Sequence, residues 1–254
     1  MSQAPVTAAL LAALPEEVRP FLRRVGAKPL SRVDLRAWEF AFRNRTGVAV
    51  LSGMGQDGAA RAAAWLLEHY QPQVFICLGF GGALTPELTA GALVLGKSLW
   101  RYEPEAGTLQ EQQALIPATL LNDLLAKLQA AGLPALLGSV VTTPAIIHKG
   151  SQGSPLLRLS HPVLDLETGA AAASIQGSSL PFLALRAVTD SAGEEIHDFI
   201  RSAAKAGTSL TVKTALAWLA ADPRRLAALV RLWRVSRLAG QRLAQALVVV
   251  LEMV

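Results

Sequence analysis

Leu185-Arg186-Ala187-Val188-Thr189-Asp190 reads as a buried strand that ends by presenting one carboxylate. Leu185 and Val188 supply β character, Ala184 and Ala187 keep the strand slim, and Thr189-Asp190 opens into Ser191-Ala192-Gly193. Open α/β sheets bind ligands just beyond the carboxyl ends of their strands, so an acid at that address is a catalytic candidate. An aspartate there is also a common turn former or helix N-cap. What lies upstream gives it weight.

Working back from that strand, apolar runs alternate with helical patterns. Val6 to Leu14 reads as a buried first strand, and Pro15-Glu16-Glu17 starts a helix through Arg24, proline and acids suiting a first turn. Trp38 to Arg43 and Val48 to Leu51 form an antiparallel pair around Asn44-Arg45-Thr46-Gly47. Ser52-Gly53-Met54-Gly55-Gln56-Asp57-Gly58 is a glycine-rich loop before an alanine-rich helix from Ala59 to Tyr70. Val74 to Leu78 is a continuously apolar strand, as in a sheet covered on both faces, and Gly79-Phe80-Gly81-Gly82 ends it. Further strands are expected over Ala92–Leu95, Leu137–Val141, Val163–Leu166 and Leu183–Val188, and helices over Pro117–Ala131 and Glu167–Ile175. Thr142 to Ser160 reads as polar loop. This order predicts an α/β/α layered domain.

The totals agree with it. The 254 residues are 52% hydrophobic, enough for a sizeable core. The one cysteine, Cys77, excludes an internal disulfide framework, fits a reducing compartment and reads as a buried small hydrophobe. No secretory signal is expected, because Val6–Leu14 is short and runs into Pro15-Glu16-Glu17. No stretch reaches the ~18–20 apolar residues of a membrane span. A cytoplasmic protein is expected. The net charge of +5 is uneven, with arginines crowding the C-terminal segment, and no nucleic-acid partner is expected.

Three carboxylates stand at strand-to-helix junctions: Glu17, Glu167 and Asp190. Each alone has a bland reading, Glu17 and Glu167 as first-turn helix acids and Asp190 as a cap. Together they predict three strand ends of one parallel sheet converging on one crevice. The Ser52-Gly53-Met54-Gly55 loop precedes a helix whose first amides could hold an anion. It lacks the Lys-Ser/Thr of a P-loop and the third glycine of a dinucleotide fingerprint, so neither ATP nor NAD is expected. His69, His148, His161 and His197 are too dispersed for a metal site. His148-Lys149 reads as an exposed loop pair.

Four ordered segments carry a resemblance. They are Ala12-Ala13-Leu14-Pro15-Glu16-Glu17-Val18, Ser52-Gly53-Met54-Gly55, Gly79-Phe80-Gly81-Gly82-Ala83-Leu84, and Asp165-Leu166-Glu167-Thr168 with Arg186-Ala187-Val188-Thr189-Asp190. The set resembles the nucleoside phosphorylase and nucleosidase superfamily over roughly residues 6 to 200. The resemblance implies a three-layer α/β/α sandwich with a mixed central sheet and a C-terminal helical tail, and cleavage of an N-glycosidic bond without a cofactor. Asp190 matches the acid that protonates purine N7 as the base departs, a role that requires it protonated with substrate bound and so a pKa raised by burial. Glu167 matches the glutamate that binds the ribose hydroxyls, and Glu17 the one that orients a nucleophilic water. Arg186, with Gly79, is placed near the nucleophile, which is water or inorganic phosphate. Met54, Leu166, Phe80 and Thr189 are the expected substrate contacts. Phe80 departs from the hydroxyl residue of hydrolytic relatives, removing a hydrogen bond and enlarging the apolar part of the pocket. Leu166 replaces the usual methionine, a mild change in volume.

The order of elements places the end of the core domain near Gly207, giving a catalytic domain over 1–207 and a basic amphipathic helical extension over 208–254, and the resemblance implies a homo-oligomer. Pro223-Arg224-Arg225 starts a long helix on which Leu226, Leu229, Leu232, Trp233, Leu243, Leu247 and Leu251 share one broad face. Arg224, Arg231, Arg234 and Arg242 lie largely on the other. Such a helix suits peripheral contact with anionic lipid through 224–254, or packing on the core or a second subunit. Within the superfamily the chain looks most like the hopanoid-associated phosphorylases, which remove adenine from adenosylhopane, a purine nucleoside linked to a lipid. The alternatives are a methylthioadenosine or adenosylhomocysteine nucleosidase, and a non-catalytic nucleoside-binding protein associated with the membrane.

Overall fold

The computed structural model describes residues 3–31, 34–112, 116–151, 153–194 and 226–254. The expected boundary at 207/208, His197, and the start of the last helix at Pro223-Arg224-Arg225 lie outside the described residues. Along the chain come β1 (Ala4–Ala12), α1 (Pro15–Arg24), β2 (Lys28–Pro29), β3 (Arg36–Phe42), β4 (Arg45–Leu51), α2 (Gln56–His69) and β5 (Tyr70–Ala83). There follow β6 (Leu93–Glu103), β7 (Thr108–Gln112), α3 (Ala118–Ala130), β8 (Ala135–Thr142), α4 (Gly153–Leu156), β9 (Val163–Asp165), α5 (Thr168–Ser174), β10 (Phe182–Asp190) and α6 (Leu226–Met253).

The strands form one mixed sheet in the order β10-β6-β8-β9-β5-β1-β4-β3-β2, with β7 paired to β6. β10 also pairs with β5, so β5, β10, β6, β8 and β9 close into a ring, and β1, β4, β3 and β2 extend from β5 as an open wing. The period-2 alternation of a strand decides the layers. Ala8, Leu10 and Ala12 of β1 face α1, α3 and α6, whereas Ala9 and Leu11 face α2 and α5. Ile76 and Leu78 of β5 join the first cluster, and Phe75 and Cys77 the second. Both faces are covered, which explains why these strands read as unbroken apolar runs.

Several expectations change. Not all three carboxylates follow strands of one parallel set: β1, β5 and β10 are parallel, but β9, which leads to Glu167, runs antiparallel to β5. The run Gly79-Phe80-Gly81-Gly82 does not end β5, which continues to Ala83. β6 extends well beyond Leu95, because its second half, with buried Leu99 and Tyr102, is held between β8 on one side and β7 on the other. β7 itself, Thr-Leu-Gln-Glu-Gln, has no apolar alternation to announce it.

The last helix belongs to the core along its second half. Ala239, Leu243, Ala246, Leu247, Val250 and Leu251 are out of solvent and share a cluster with Val18 and Phe21 of α1. The two helices cross closely at Gly240, where a Cβ would stand 2.3 Å from the Glu16 carbonyl oxygen. Pro20 lacks the N–H that would bond that carbonyl within α1, leaving the oxygen open to this approach. In the first half Leu229 and Leu232 are half-buried, while Trp233 is 59% exposed although the helical wheel groups it with the leucines. No helix of the described residues is long and apolar enough to cross a membrane.

Candidate active site

Glu17 sits in the first turn of α1, where β1 hands over to the helix. Its Oε2 accepts the N–H groups of Ala13 and Leu14, both at 2.8 Å, and its Oε1 accepts the Phe80 N–H at 2.9 Å. The carboxylate thereby satisfies helix-start amides and ties β1 to the end of β5. Burial pushes its pKa up to about 7, against the lowering pull of those amides and of Arg186.

Glu167 occupies the N-cap position of α5, and its side chain turns away from the helix start. Its Oε1 accepts the Gly55 N–H at 2.7 Å, and Oε2 accepts its neighbour Leu166 N–H at 3.3 Å. Gly55 precedes α2 with φ of +98°, a conformation that side chains rarely adopt. The Gly55 amide at this helix start is thus satisfied by the Glu167 carboxyl of the chain itself. Burial, with the Asp165 charge nearby, raises the Glu167 pKa to about 8.

Beneath these two lies a buried charge network. Arg186 Nη2 stands 2.5 Å from Asp165 Oδ2 and donates to Thr168 Oγ1 and to Cys77 Sγ, the last at 3.1 Å. Asp165 also accepts from Thr142 Oγ1 at 2.6 Å and from the Thr168 N–H at 2.9 Å. A Cβ on Gly79 would lie 2.3 Å from Arg186 Nη1, so this glycine makes room for the guanidinium. Burial also pushes the Cys77 thiol up to about 11.

Asp190 reaches the pocket through a β-bulge. Val188 pairs with Gly81 and Asp190 with Gly82, leaving Thr189 as the extra residue. A Cβ on Gly82 would stand 2.6 Å from Asp190 Oδ2. The glycines of β5 therefore admit side chains of the neighbouring strand rather than a turn. Thr189 Oγ1 donates to Asp190 Oδ1 at 2.9 Å, and Lys149 Nζ stands 2.5 Å from Oδ2. Lys149 also donates to the carbonyls of Asp190 and Ser191 at 3.3 and 2.8 Å.

Glu17, Met54, Phe80, Leu166, Glu167, Thr189 and Asp190 all line one pocket. Seven of the nine expected site residues are brought together. Arg186 and Gly79 stand behind Glu17, outside that lining. The pocket adds Thr143, Ile146, Ile147 and Lys149 from the segment read as polar loop. Lys149 corrects the exposed-pair reading: it is 7% exposed, whereas its neighbour His148 is exposed. Its signal was a lysine beside two isoleucines in a polar stretch, since apolar residues there mark a wall. Among the described residues no group of His, Cys, Asp or Glu could hold a metal ion.

The mixed sheet covered by helices on both faces, with Glu17, Glu167 and Asp190 lining one pocket, defines an α/β/α sandwich with an acid-lined ligand cleft. The sequence pattern of the Phosphorylase superfamily matches residues 7–217, and the chain belongs to that superfamily. It is an N-glycosidic bond-cleaving enzyme. Solved structures share the fold across nearly the whole chain. S-adenosylhomocysteine nucleosidase from Streptococcus pyogenes, in complex with 5-methylthiotubericidin, superposes with a TM-score of 0.72 at 20% identity, covering 99% of this chain and 98% of that one. 5′-methylthioadenosine/S-adenosylhomocysteine nucleosidase from Neisseria meningitidis, in complex with methylthio-immucillin-A, gives 0.71 at 19%, covering 98% and 99%. Futalosine hydrolase from Helicobacter pylori gives 0.71 at 14%, covering 97% and 98%.

Proposed function

We propose that this chain hydrolyses the N-glycosidic bond of a purine nucleoside with an apolar 5′ substituent, adenosylhopane being the preferred substrate and adenine the departing base. One observation carries the reading: Glu17, Glu167 and Asp190 line a single pocket, together with Asp165, Lys149 and an apolar wall of Leu14, Met54, Phe80, Ile146, Ile147 and Leu166. Asp190 protonates N7 of the base, so the electron pair of the breaking bond leaves on a neutral purine. Glu167 holds the ribose hydroxyls. Glu17 takes a proton from the water that adds to the sugar carbon, and its pKa of about 7 suits a base at neutral pH.

The charge distribution favours water over phosphate. Phosphate requires converging cations, but Arg186 is committed to Asp165 and Lys149 to Asp190. A lipid-linked substrate is supported by the apolar wall and by the exposed Trp233 beside Arg237, whose guanidinium stands 5.4 Å from the indole centroid. The reading places the protein in the cytoplasm as a homo-oligomer in peripheral contact with the membrane.

The same wall also suits a small apolar group, and two of the similar structures are nucleosidases for methylthioadenosine or adenosylhomocysteine by name. Purified protein assayed on adenosylhopane, methylthioadenosine and adenosylhomocysteine, scored for free sugar against sugar 1-phosphate, separates these readings. Adenosylhopane cleaved fastest, giving free sugar, is the expected result. A faster rate on methylthioadenosine selects the second reading, sugar 1-phosphate overturns hydrolysis, and binding without turnover selects a non-catalytic role.

A further inference from the structure

The ammonium of Lys149 donates to the carbonyl oxygens of Asp190 and Ser191 and forms an ion pair with Asp190 Oδ2 at 2.5 Å. Lys149 is buried, and it is the one cation lining the pocket among the described residues. It comes from the short turn Lys149–Ser151, on a different wall from the strand that delivers Asp190. An ammonium 2.5 Å from a carboxylate oxygen holds that carboxylate in its ionised form. An ionised carboxylate accepts hydrogen bonds only and has no proton to give. The ion pair nevertheless contains one transferable proton, carried on the Lys149 nitrogen.

We propose that Lys149 is the proton source for Asp190: it loads the acid from within the pocket, and the departing purine takes that proton from Asp190. This rests on the assignment of Asp190 as the acid. A proton moves from Lys149 Nζ to Asp190 Oδ2, leaving a neutral amine and a neutral acid. The bond from sugar to base then breaks with its electron pair going to the base, which accepts the proton from Asp190. Water adds to the sugar carbon and gives a proton to Glu17. When the products leave, Glu17 returns its proton to solvent and Lys149 takes one up. The net reaction is nucleoside plus water to free base plus sugar.

Lys149→Arg and Lys149→Met separate proton supply from positioning. Arginine keeps the ion pair but does not deprotonate in proteins, and methionine keeps the stem without the charge. A panel of adenosine, methylthioadenosine and a lipid-linked adenosine supplies the substrate, so the nature of the 5′ group does not decide the outcome. Adenine binding by calorimetry reports whether the site is intact. Both variants are expected to lose about a hundredfold or more in kcat, with KM and adenine affinity within a few-fold of wild type. A kcat for Lys149→Arg within about threefold of wild type overturns the proposal by reducing Lys149 to a charge that positions Asp190. Loss of adenine binding in step with kcat in both variants overturns it too, assigning Lys149 to the shape of the site. A wild type that cleaves every purine nucleoside except the lipid-linked one sinks the preferred substrate and leaves this test standing. One that cleaves none sinks both.

Discussion

Arg186 Nη2 and Asp165 Oδ2 stand 2.5 Å apart beneath the pocket, and both side chains are out of solvent. The pair explains why a full charge from β10 can lie under Glu17 without opening to the ligand. Removing one member strands the other in a low dielectric, a loss of about 3–5 kcal/mol. Asp165→Asn is therefore expected to lower Tm by about 10 °C, each kcal/mol being worth roughly 2–4 °C in a chain of this size. The double variant Asp165→Asn/Arg186→Met removes both charges and should recover part of that loss. Thermal unfolding followed by circular dichroism checks it; a double variant no more stable than the single one would show that the charges are not coupled.

The pH dependence follows from Glu17. Its folded pKa of about 7 lies above the ordinary value of 4.5, so between these limits the native chain holds a proton that the unfolded chain releases. This contribution is fully present below about pH 4.5 and is lost as pH rises through about 7, an effect on the order of 3 kcal/mol. Glu167, raised to about 8, adds a slope of the same sign that extends slightly higher. Glu17→Gln should flatten the first part of the curve and leave the protein relatively more stable at pH 8. Activity runs the opposite way, since the base must be ionised: kcat/KM should climb with pH to a plateau above about 7. In Glu17→Gln it should fall by about a hundredfold or more at every pH. Denaturant melts and rate profiles over pH 5–9 measure the two together.

Two glycines of β5 make a sharper test of geometry. A Cβ at position 79 meets the Arg186 guanidinium at 2.3 Å, and one at position 82 meets the Asp190 carboxylate at 2.6 Å. Gly79→Ala must displace a buried, ion-paired side chain, at a cost of about 1–3 kcal/mol. Gly82→Ala pushes on the Asp190 carboxylate and the Lys149 stem at the pocket wall, a pair less deeply buried than Arg186 and Asp165, so it should cost less stability than Gly79→Ala yet lose most of its kcat. If Gly82→Ala turns over normally, Asp190 does not act from the place where the bulge sets it.

The contrast between these glycines shows what the chain made legible. Apolar runs such as Val74–Leu78 and the acids at their ends follow from local sequence, so the layers and Glu17, Glu167 and Asp190 could be read directly, whereas Met54, Phe80, Leu166 and Thr189 came through the resemblance. The bulge at Thr189, the antiparallel course of β9 and the continuation of β5 through its glycines depend on which strand lies alongside, and no local pattern encodes that. Lys149 was missed for the same reason: a lysine in a polar stretch reads as solvated until its partner across the pocket is known. Arg186 shows the converse. Its motif was visible, but its commitment to Asp165 emerges only when β9 and β10 are brought together.

The final helix offers a test that divides it along its length. Leu247 is completely out of solvent and packs in the cluster that joins α6 to α1, α3 and the sheet. Truncating it to alanine removes that burial and leaves a cavity between layers, at an expected cost of about 2–5 kcal/mol. Trp233 is 59% exposed, so Trp233→Ala should leave stability within about half a kcal/mol. The proposed lipid contact assigns the tryptophan another measurable role. Binding to vesicles of anionic phospholipid should weaken in Trp233→Ala, because an indole at an interface anchors the helix, and should weaken again in Arg234→Ala through lost charge attraction. Vesicle co-sedimentation at low and physiological salt, with melting curves on the same samples, separates packing from anchoring. Equal vesicle binding by wild type and both variants would confine this helix to its part in the core.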